Sequence, residues 1–305
     1  MYIAAQHCAS EDNTMSELEY LGLDGLELLN ASSGELRCED FPILEGMSPV
    51  NLRLLNSSCQ KINVSKGVEI PHEGAMPYHL FFLKKGKLAI AKHLDSKLKV
   101  IGHLLPGNVY GEFGVLRGRP RNASVITMEN SEVLCVEVSA VRQLLDADKA
   151  FRNSLKSLFR QRLLGNAFLK HPIFRVIPNE ARNALARELP VKYYERGAQI
   201  FKQGDAPAGV HLILSGDVDI SLHKESGSDV LLETRSEPDV LGESCLGGKA
   251  MSYSATAASD LDILLLNKET IHAIQTRHAS FLSELGPYIN KRNEQMQVRF
   301  KQLRT

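Results

Sequence analysis

The chain carries no net charge: 36 lysines and arginines stand against 36 aspartates and glutamates over 305 residues. Nothing global therefore drives it onto nucleic acid or an anionic membrane. Its cysteines are few. Cys8, Cys38, Cys59, Cys135 and Cys245 are odd in number, widely scattered and nowhere arranged as Cys-x-x-Cys. That leaves neither a zinc site nor a redox motif to expect. Cys135, inside the apolar run from Val133 to Val136, reads as a small core residue. The start, Met1 to Cys8, lacks the basic residues and long apolar core of a secretory signal. No stretch approaches the roughly eighteen unbroken apolar residues of a membrane-spanning helix. A reducing, cytoplasmic setting is the simplest expectation. Tryptophan is absent altogether.

What the chain does have is length for two domains and, at 43% hydrophobic residues, enough to bury a core in each. It also repeats itself. Pro42-Ile43-Leu44 returns as Pro172-Ile173-Phe174, Gly67 as Gly197, Gly74 as Gly204 and Gly86 as Gly216, every pair 130 positions apart. Gly111-Glu112 returns as Gly242-Glu243 at 131, and the small pair Ala123-Ser124 as Ala255-Thr256 at 132. Glycines in step over that distance imply a tandem duplication.

Inside each copy, short β-rich runs alternate with glycine turns. Leu80 to Leu83 turns at Gly86 into Lys87 to Ile90, and Val210 to Leu214 turns at Gly216 into Val218 to Ser221. Such spacing predicts an antiparallel roll or barrel in each half. Helices flank both. Ser48-Pro49 opens one over Val50 to Leu55, and Pro178-Asn179-Glu180 opens another over Ala181 to Leu189, with Ser and Asn as caps. Residues 139–170 read as helix with Gly165 as the expected break, and 268–304 as helix interrupted at Gly286-Pro287. Ser16 to Leu29 has the Leu and Glu for a short helix, though no clear face emerges. The expected organisation is an extension (1–40), a first roll (41–145), a connecting helix (146–171), a second roll (172–275) and a C-terminal helix (276–305).

One stretch carries chemistry, Tyr110 to Val125. It offers one carboxylate, Glu112, between Gly111 and Gly114; Arg121 follows Pro120 and precedes the small pair Ala123 and Ser124. Glycine lets backbone approach a ligand closely, and amides opening a helical turn point their positive ends at an anion. A guanidinium grips two phosphate oxygens at once, as a lysine cannot. A carboxylate repels phosphate but accepts from a sugar hydroxyl. Together these groups describe a pocket for a sugar phosphate.

Gly111-Glu112-Phe113-Gly114 followed by Pro120-Arg121-Asn122-Ala123-Ser124-Val125 resembles the phosphate-binding cassette of cyclic nucleotide-binding domains. These occur in protein kinase A regulatory subunits and the catabolite activator protein, and the resemblance covers roughly residues 41–305. It implies an α+β, mainly β fold: two tandem antiparallel β-roll (jelly-roll) domains, each with flanking helices. It also implies Glu112 on the ribose 2′-hydroxyl and Arg121 on the exocyclic oxygens of the cyclic phosphate. The backbone of Phe113, Gly114 and Ala123 and the hydroxyl of Ser124 would complete the cradle. In the family a small residue at the position of Asn122 goes with adenine, and Thr or Ser with guanine. Asparagine is neither, so cyclic AMP is the expected ligand on the family's preference, with cyclic GMP next. The helix behind each roll is expected to move on binding. Phe159, and Tyr288 or Phe300, are lid candidates, with plain core or dimer packing as the alternative.

The second copy, Gly242-Glu243 through Ala255-Thr256, keeps its carboxylate. Counting back from Ala255 places Tyr253 where Arg121 would be, and Lys249 nearby is only a flexible point charge. This degenerate site is expected to bind weakly or not at all.

The leading expectation is a non-enzymatic sensor that passes a change in shape from the first roll through its helices to an effector protein the sequence does not name. Long helices allow a homodimer. A transcription regulator of the catabolite activator type needs a helix-turn-helix after the roll, and only a short helical tail follows; its Lys291, Arg292, Arg299, Lys301 and Arg304 read as a solvated face. A kinase regulatory subunit needs an Arg-Arg-x-Ser-like stretch before the first domain. Residues 1–40 contain only Arg37, so the resemblance fails at that point. A cupin-type metal enzyme needs His-x-His, which none of the ten histidines provides. His72 with His79, and His272 with His278, are not spaced as ligand pairs.

Overall fold

A computed structural model of the chain describes residues 31–94, 97–223, 227–244 and 248–302. The helix expected over Ser16 to Leu29, together with Cys8, Cys245 and Arg304, lies outside the described residues. The chain divides into two compact units between Phe159 and Arg160, each an antiparallel β-roll with helices.

In the first unit, β1 (Ser32–Ser33), β2 (Cys59–Val64), β3 (His79–Lys85), β6 (Val109–Tyr110) and β8 (Ser131–Glu137) form a sheet ordered β1-β2-β8-β3-β6. β4 (Leu88–Leu94), β5 (Lys97–Leu104) and β7 (Ser124–Thr127) form a second, ordered β5-β4-β7. Both faces of β3 are buried. Leu80 and Phe82 pack outward on Phe41, Leu55, Val141 and Phe151, whereas Phe81 and Leu83 turn into the roll beside Ile62, Leu88 and Tyr110. That double burial explains why Leu80 to Leu83 reads as an unbroken apolar run rather than an alternating one. Phe41 meets Phe82 edge to face at 5.2 Å, and Phe81 stacks on Tyr110 at 4.8 Å.

Residues 31–40 are part of this unit. β1 pairs with β2, Leu36 is buried, and the side-chain amide of Asn56 bonds both the N–H (2.7 Å) and the carbonyl (3.0 Å) of Leu36. Helix α1 (Pro49–Ser57) starts as expected, with the Ser48 hydroxyl accepting from the Asn51 N–H at 3.2 Å. Helix α2 (Glu112–Arg117) is a short turn between β6 and β7. After β8 come α3 (Val138–Ala147) and α4 (Lys149–Lys170). The break falls at Asp148 rather than at Gly165. Buried Asp148 accepts from the N–H groups of Ser48 and Phe151 and from the Asn51 amide, so its carboxylate caps α4 and ties it to α1. Gly165 simply rides inside a helix whose Leu163, Leu164, Ala167 and Phe168 are buried.

The second unit repeats the plan. Helix α5 (Asn179–Glu188) precedes β9 (Val191–Tyr194) and β10 (Gln199–Phe201). Its start departs from expectation: Asn179 is the first helical residue, and Pro178, with no side-chain acceptor, holds the cap position. Strands β11 (Val210–Ser215), β12 (Asp217–His223), β13 (Asp229–Ser236), β14 (Val240–Leu241), β15 (Ser254–Ala257) and β16 (Leu261–Leu266) complete sheets ordered β14-β11-β16-β9 and β10-β15-β12-β13. Gly86 (φ +97°) and Gly216 (φ +94°) close equivalent hairpins in the left-handed region, and a Cβ at either would overlap Ser131 or the Asp260 carbonyl. Helices α6 (Lys268–Arg277) and α7 (Phe281–Gln302) follow. The expected interruption at Gly286-Pro287 is absent. α7 runs through Pro287 because Phe281, Leu285, Ile289 and Met296 bury one face along its length, and the break lies at residues 278–280.

Three histidines are buried, His79 and His211 on strands of the two rolls and His171 just ahead of Pro172. Burial pushes His79, His171 and His211 down to about 4 from an ordinary 6.5, with Arg121 reinforcing the effect at His79 and Lys192 at His211. A lowered histidine means the unfolded chain takes up the proton first, so stability is whole above pH 6.5 and declines as pH falls toward 4. His211 sits where the first roll has Phe81. Replacing His211 with Phe should therefore shrink the loss of unfolding free energy between pH 7 and pH 5, measured by urea titration, by on the order of 2 kcal/mol.

Candidate functional site

The first cassette begins where β6 ends. Gly111 adopts φ +92°, a conformation that turns the chain abruptly into α2 and is open to glycine. Glu112, the first residue of α2, is buried at 2% exposure, and Arg121, on the return leg to β7, is buried at 6%. Ionised side chains this deep are rare unless their charges are met. The Arg121 guanidinium donates through Nη1 to the Gly111 carbonyl at 2.9 Å and through Nη2 to the His79 carbonyl at 2.5 Å, and lies 5.4 Å above the Phe81 ring. It is thus fixed against the same turn that carries Glu112. Its position also accounts for the glycine. A Cβ on Gly111 would come within 2.6 Å of Arg121 Nη1.

The remaining expected residues gather around this pair. Gly114 lies in α2 against Pro77, where a Cβ would not fit, and Ser124 is fully buried with its hydroxyl accepting from the Glu73 N–H at 2.9 Å. Ala123 is half-buried and Asn122 exposed at the rim. The ring of Phe113 is half-buried and meets Phe159 of α4 at 4.7 Å; the Arg117 guanidinium covers the same Phe159 ring at 4.7 Å. Phe159, one of the lid candidates, is therefore a buried contact between the cassette helix and α4. Sequence reasoning missed His79, which serves through its backbone oxygen and so leaves no side-chain signal.

In the second unit the hydrogen bonds reset the register. Gly74 N–H meets the Arg121 carbonyl at 2.8 Å, and Gly204 N–H meets the Met251 carbonyl at 2.8 Å. The Glu73 amide bonds the Ser124 hydroxyl, and the Gln203 amide bonds the Ser254 hydroxyl at 3.0 Å. The counterpart of Arg121 is therefore Met251, not Tyr253, and Tyr253 stands in the place of Ala123. Ala255 and Thr256, expected as the small pair of a degenerate site, are corrected to residues of β15 that occupy the positions Val125 and Ile126 hold in β7; Ala255 is a core residue. Keeping the 130-residue spacing of the glycines, instead of matching the small pairs, would have given this result.

Gly242 and Glu243 do occupy the positions of Gly111 and Glu112. Glu243 is buried, but its carboxylate is engaged by its own chain. The Tyr253 hydroxyl donates to Oε2, Arg235 Nη1 pairs with Oε1, and the Gly242 N–H donates to the Tyr253 oxygen at 2.8 Å. Arg235, on β13, replaces Leu104 of the first roll (Arg235 opposes Val218 as Leu104 opposes Leu88). Burial would pull the Arg235 guanidinium down, yet Tyr253, Glu243 and Glu233 hold it above its ordinary value. Burial and then Glu243 push the Tyr253 phenol up, so it remains a donor. The signal for this arrangement was a lone arginine at a core strand position. Of the other lid candidates, Tyr288 packs on His171 at 4.7 Å and Phe300 against the roll core.

Two rolls of this topology, each with a Gly-Glu turn at the end of its short strand, define a tandem β-roll protein. The model of the cyclic nucleotide-binding domain matches residues 61–148 and 191–278, and the chain belongs to that family. A cAMP-dependent protein kinase regulatory subunit of Eremothecium gossypii is 28% identical over 217 residues, 70% of this chain and 43% of its own. A type II regulatory subunit of Drosophila melanogaster is 30% identical over 132 residues, 43% of this chain and 32% of its own. The chain spans about half the length, or less, of the curated relatives it matches. The regulatory domain of Toxoplasma gondii PKA, solved with cAMP, aligns over 94% of this chain and 97% of its own at 15% identity and a TM-score of 0.36, too loose a superposition for residue-level correspondence. Among the described residues no helix is long and apolar enough to cross a membrane.

The Gly111 turn can be tested directly. Gly111→Ala should lower unfolding free energy by more than Gly67→Ala, which meets only backbone strain (φ +87°, no atom within 4 Å). The strain common to both is about 1 kcal/mol, and displacement of Arg121 should add on the order of 1–2 kcal/mol at Gly111, read by chemical denaturation of the two variants side by side.

Proposed function

We propose that the chain is a non-enzymatic cyclic nucleotide sensor whose first roll takes the ligand, with cyclic AMP as the favoured nucleotide. The observation that carries this reading is the Arg121 guanidinium set by the Gly111 and His79 carbonyls beside buried Glu112. A guanidinium presents its N–H donors in a planar fork, the geometry that grips two exocyclic phosphate oxygens at once. Glu112 accepts from the ribose 2′-hydroxyl. The amides of Phe113, Gly114 and Ala123 and the hydroxyl of Ser124, which already accepts from Glu73 and can still donate, close the cradle. A shift of α2 on binding reaches α4 through Phe113, Arg117 and Phe159. Ligand can bias such a motion only by its difference in affinity for the two shapes.

Calorimetry with cyclic AMP and cyclic GMP tests the assignment. One site per chain is expected, with cyclic AMP the tighter ligand. Arg121→Ala should lose at least tenfold in affinity, and Arg121→Lys should recover only part, because a point charge cannot make the two-pronged contact. An unchanged isotherm for Arg121→Ala would remove the residue from this role.

A second reading concerns the effector, and the kinship with kinase regulatory subunits favours it: a kinase catalytic subunit, held by the chain and released by nucleotide. The measurement is inhibition of such a catalytic subunit by the chain and its relief by cyclic AMP. No inhibition at micromolar chain would turn attention to another effector or to a homodimer.

A further inference from the structure

The carboxylate of the second cassette is the first link of a chain of charges that ends on the C-terminal helix. Glu243 pairs with Arg235; Arg235 Nε donates to Glu233 Oε1 at 2.6 Å; Glu233 Oε2 takes Arg299 of α7 at 2.8 Å. Two turns earlier on the same helix, Arg292 pairs with Asp239, in the turn between β13 and β14. Between these two polar contacts Met296 is buried in the same apolar cluster as Met251 and Tyr253, with Phe300 packed against it. Each residue that closes the cassette therefore also touches what holds α7. Tyr253 fills the space that Ala123 leaves in the first roll, its hydroxyl meets the carboxylate that Glu112 offers there, and its ring adjoins the core on which Met296 sits.

We propose that the second cassette is occupied by its own chain, and that this internal occupant, through the Glu243–Arg235–Glu233–Arg299 relay, locks α7 onto the roll and makes the second roll a fixed platform that needs no ligand. The proposal extends the reading of the first roll as the nucleotide site, since it confines the response of the chain to that roll. The weak point of the lock is its solvent end. Arg299 is half exposed, and the relay borders a cavity of about 550 Å³ lined by Glu233, Arg235, Arg292, Gln295 and Arg299, so water competes for this link more than for the buried Arg235–Glu243 pair. That end is also the place to cut without unfolding the roll.

Hydrogen exchange of the full chain reads the lock at the amides of Arg292 to Gln302. Glu233→Gln and Arg299→Gln should each speed exchange there about tenfold, and the double variant should do no more than either single, as expected for two ends of one link. Arg277→Gln, which severs the exposed Arg277–Glu188 pair elsewhere in the unit, should leave those amides as they are. Saturating cyclic AMP should not slow them further in the wild type. Wild-type exchange in both single variants, additive effects in the double, or protection of α7 by nucleotide would each overturn the proposal. If calorimetry shows no nucleotide bound at all, the reading of the first roll fails, while the two substitutions still judge the lock by themselves.

Discussion

A charged side chain enclosed by protein must be met by oriented partners, and the first roll is arranged around one such demand. Arg121 is buried, and among the groups that meet it are backbone carbonyls from two separate places, Gly111 at the end of β6 and His79 at the start of β3. Folding the roll therefore fixes the arginine. Holding a long side chain in one rotamer costs up to about 2 kcal/mol, and here that ordering falls on folding rather than on ligand capture. A guanidinium this close to the main chain leaves no room for a Cβ at 111, and it adds to the burial that holds His79 below its ordinary value.

The second roll shows what the same scaffold does when that demand is removed. Met251 takes the arginine's place and joins the apolar core. A buried glutamate remains, and an uncompensated carboxylate at that depth would be strongly destabilising. The chain answers with Arg235 and Tyr253, both larger than the Leu104 and Ala123 they replace. The Glu243 carboxylate is thus balanced within its own chain, by Arg235 and Tyr253.

Much of this was legible in the residues. Glycines that need positive φ recur wherever the hairpins do, so the duplication and the strand order around Gly86 and Gly216 could be read directly. Glu112 and Arg121 were visible because few roles suit a carboxylate and an arginine at that spacing among small residues. Helix boundaries were less legible. Gly165 and Pro287 are local helix breakers overridden by buried faces, and Asp148 breaks the chain by a contact with Asn51, far away in sequence. The register of the second cassette was misread because alanine and small hydroxyl residues recur in any buried strand. His79 could not be found from pattern, since it acts through its backbone, and the lone arginine at a core strand position, Arg235, becomes meaningful only when β13 lies beside Glu243.

The ladder between β1 and β2 bears on how the molecule keeps itself apart from its copies. Ser32 and Ser33 occupy the outer rim of the five-stranded sheet, and the Asn56 amide clasps Leu36 behind them. Without that short strand, β2 would present a bare row of donors and acceptors beside the apolar surface around Cys59 and Leu134 that Gly34 and Leu36 now cover. Such a row is the usual template for edge-to-edge stacking. The described end of the expected extension is, physically, a selvedge: the finished margin that stops the fabric from joining to the next piece.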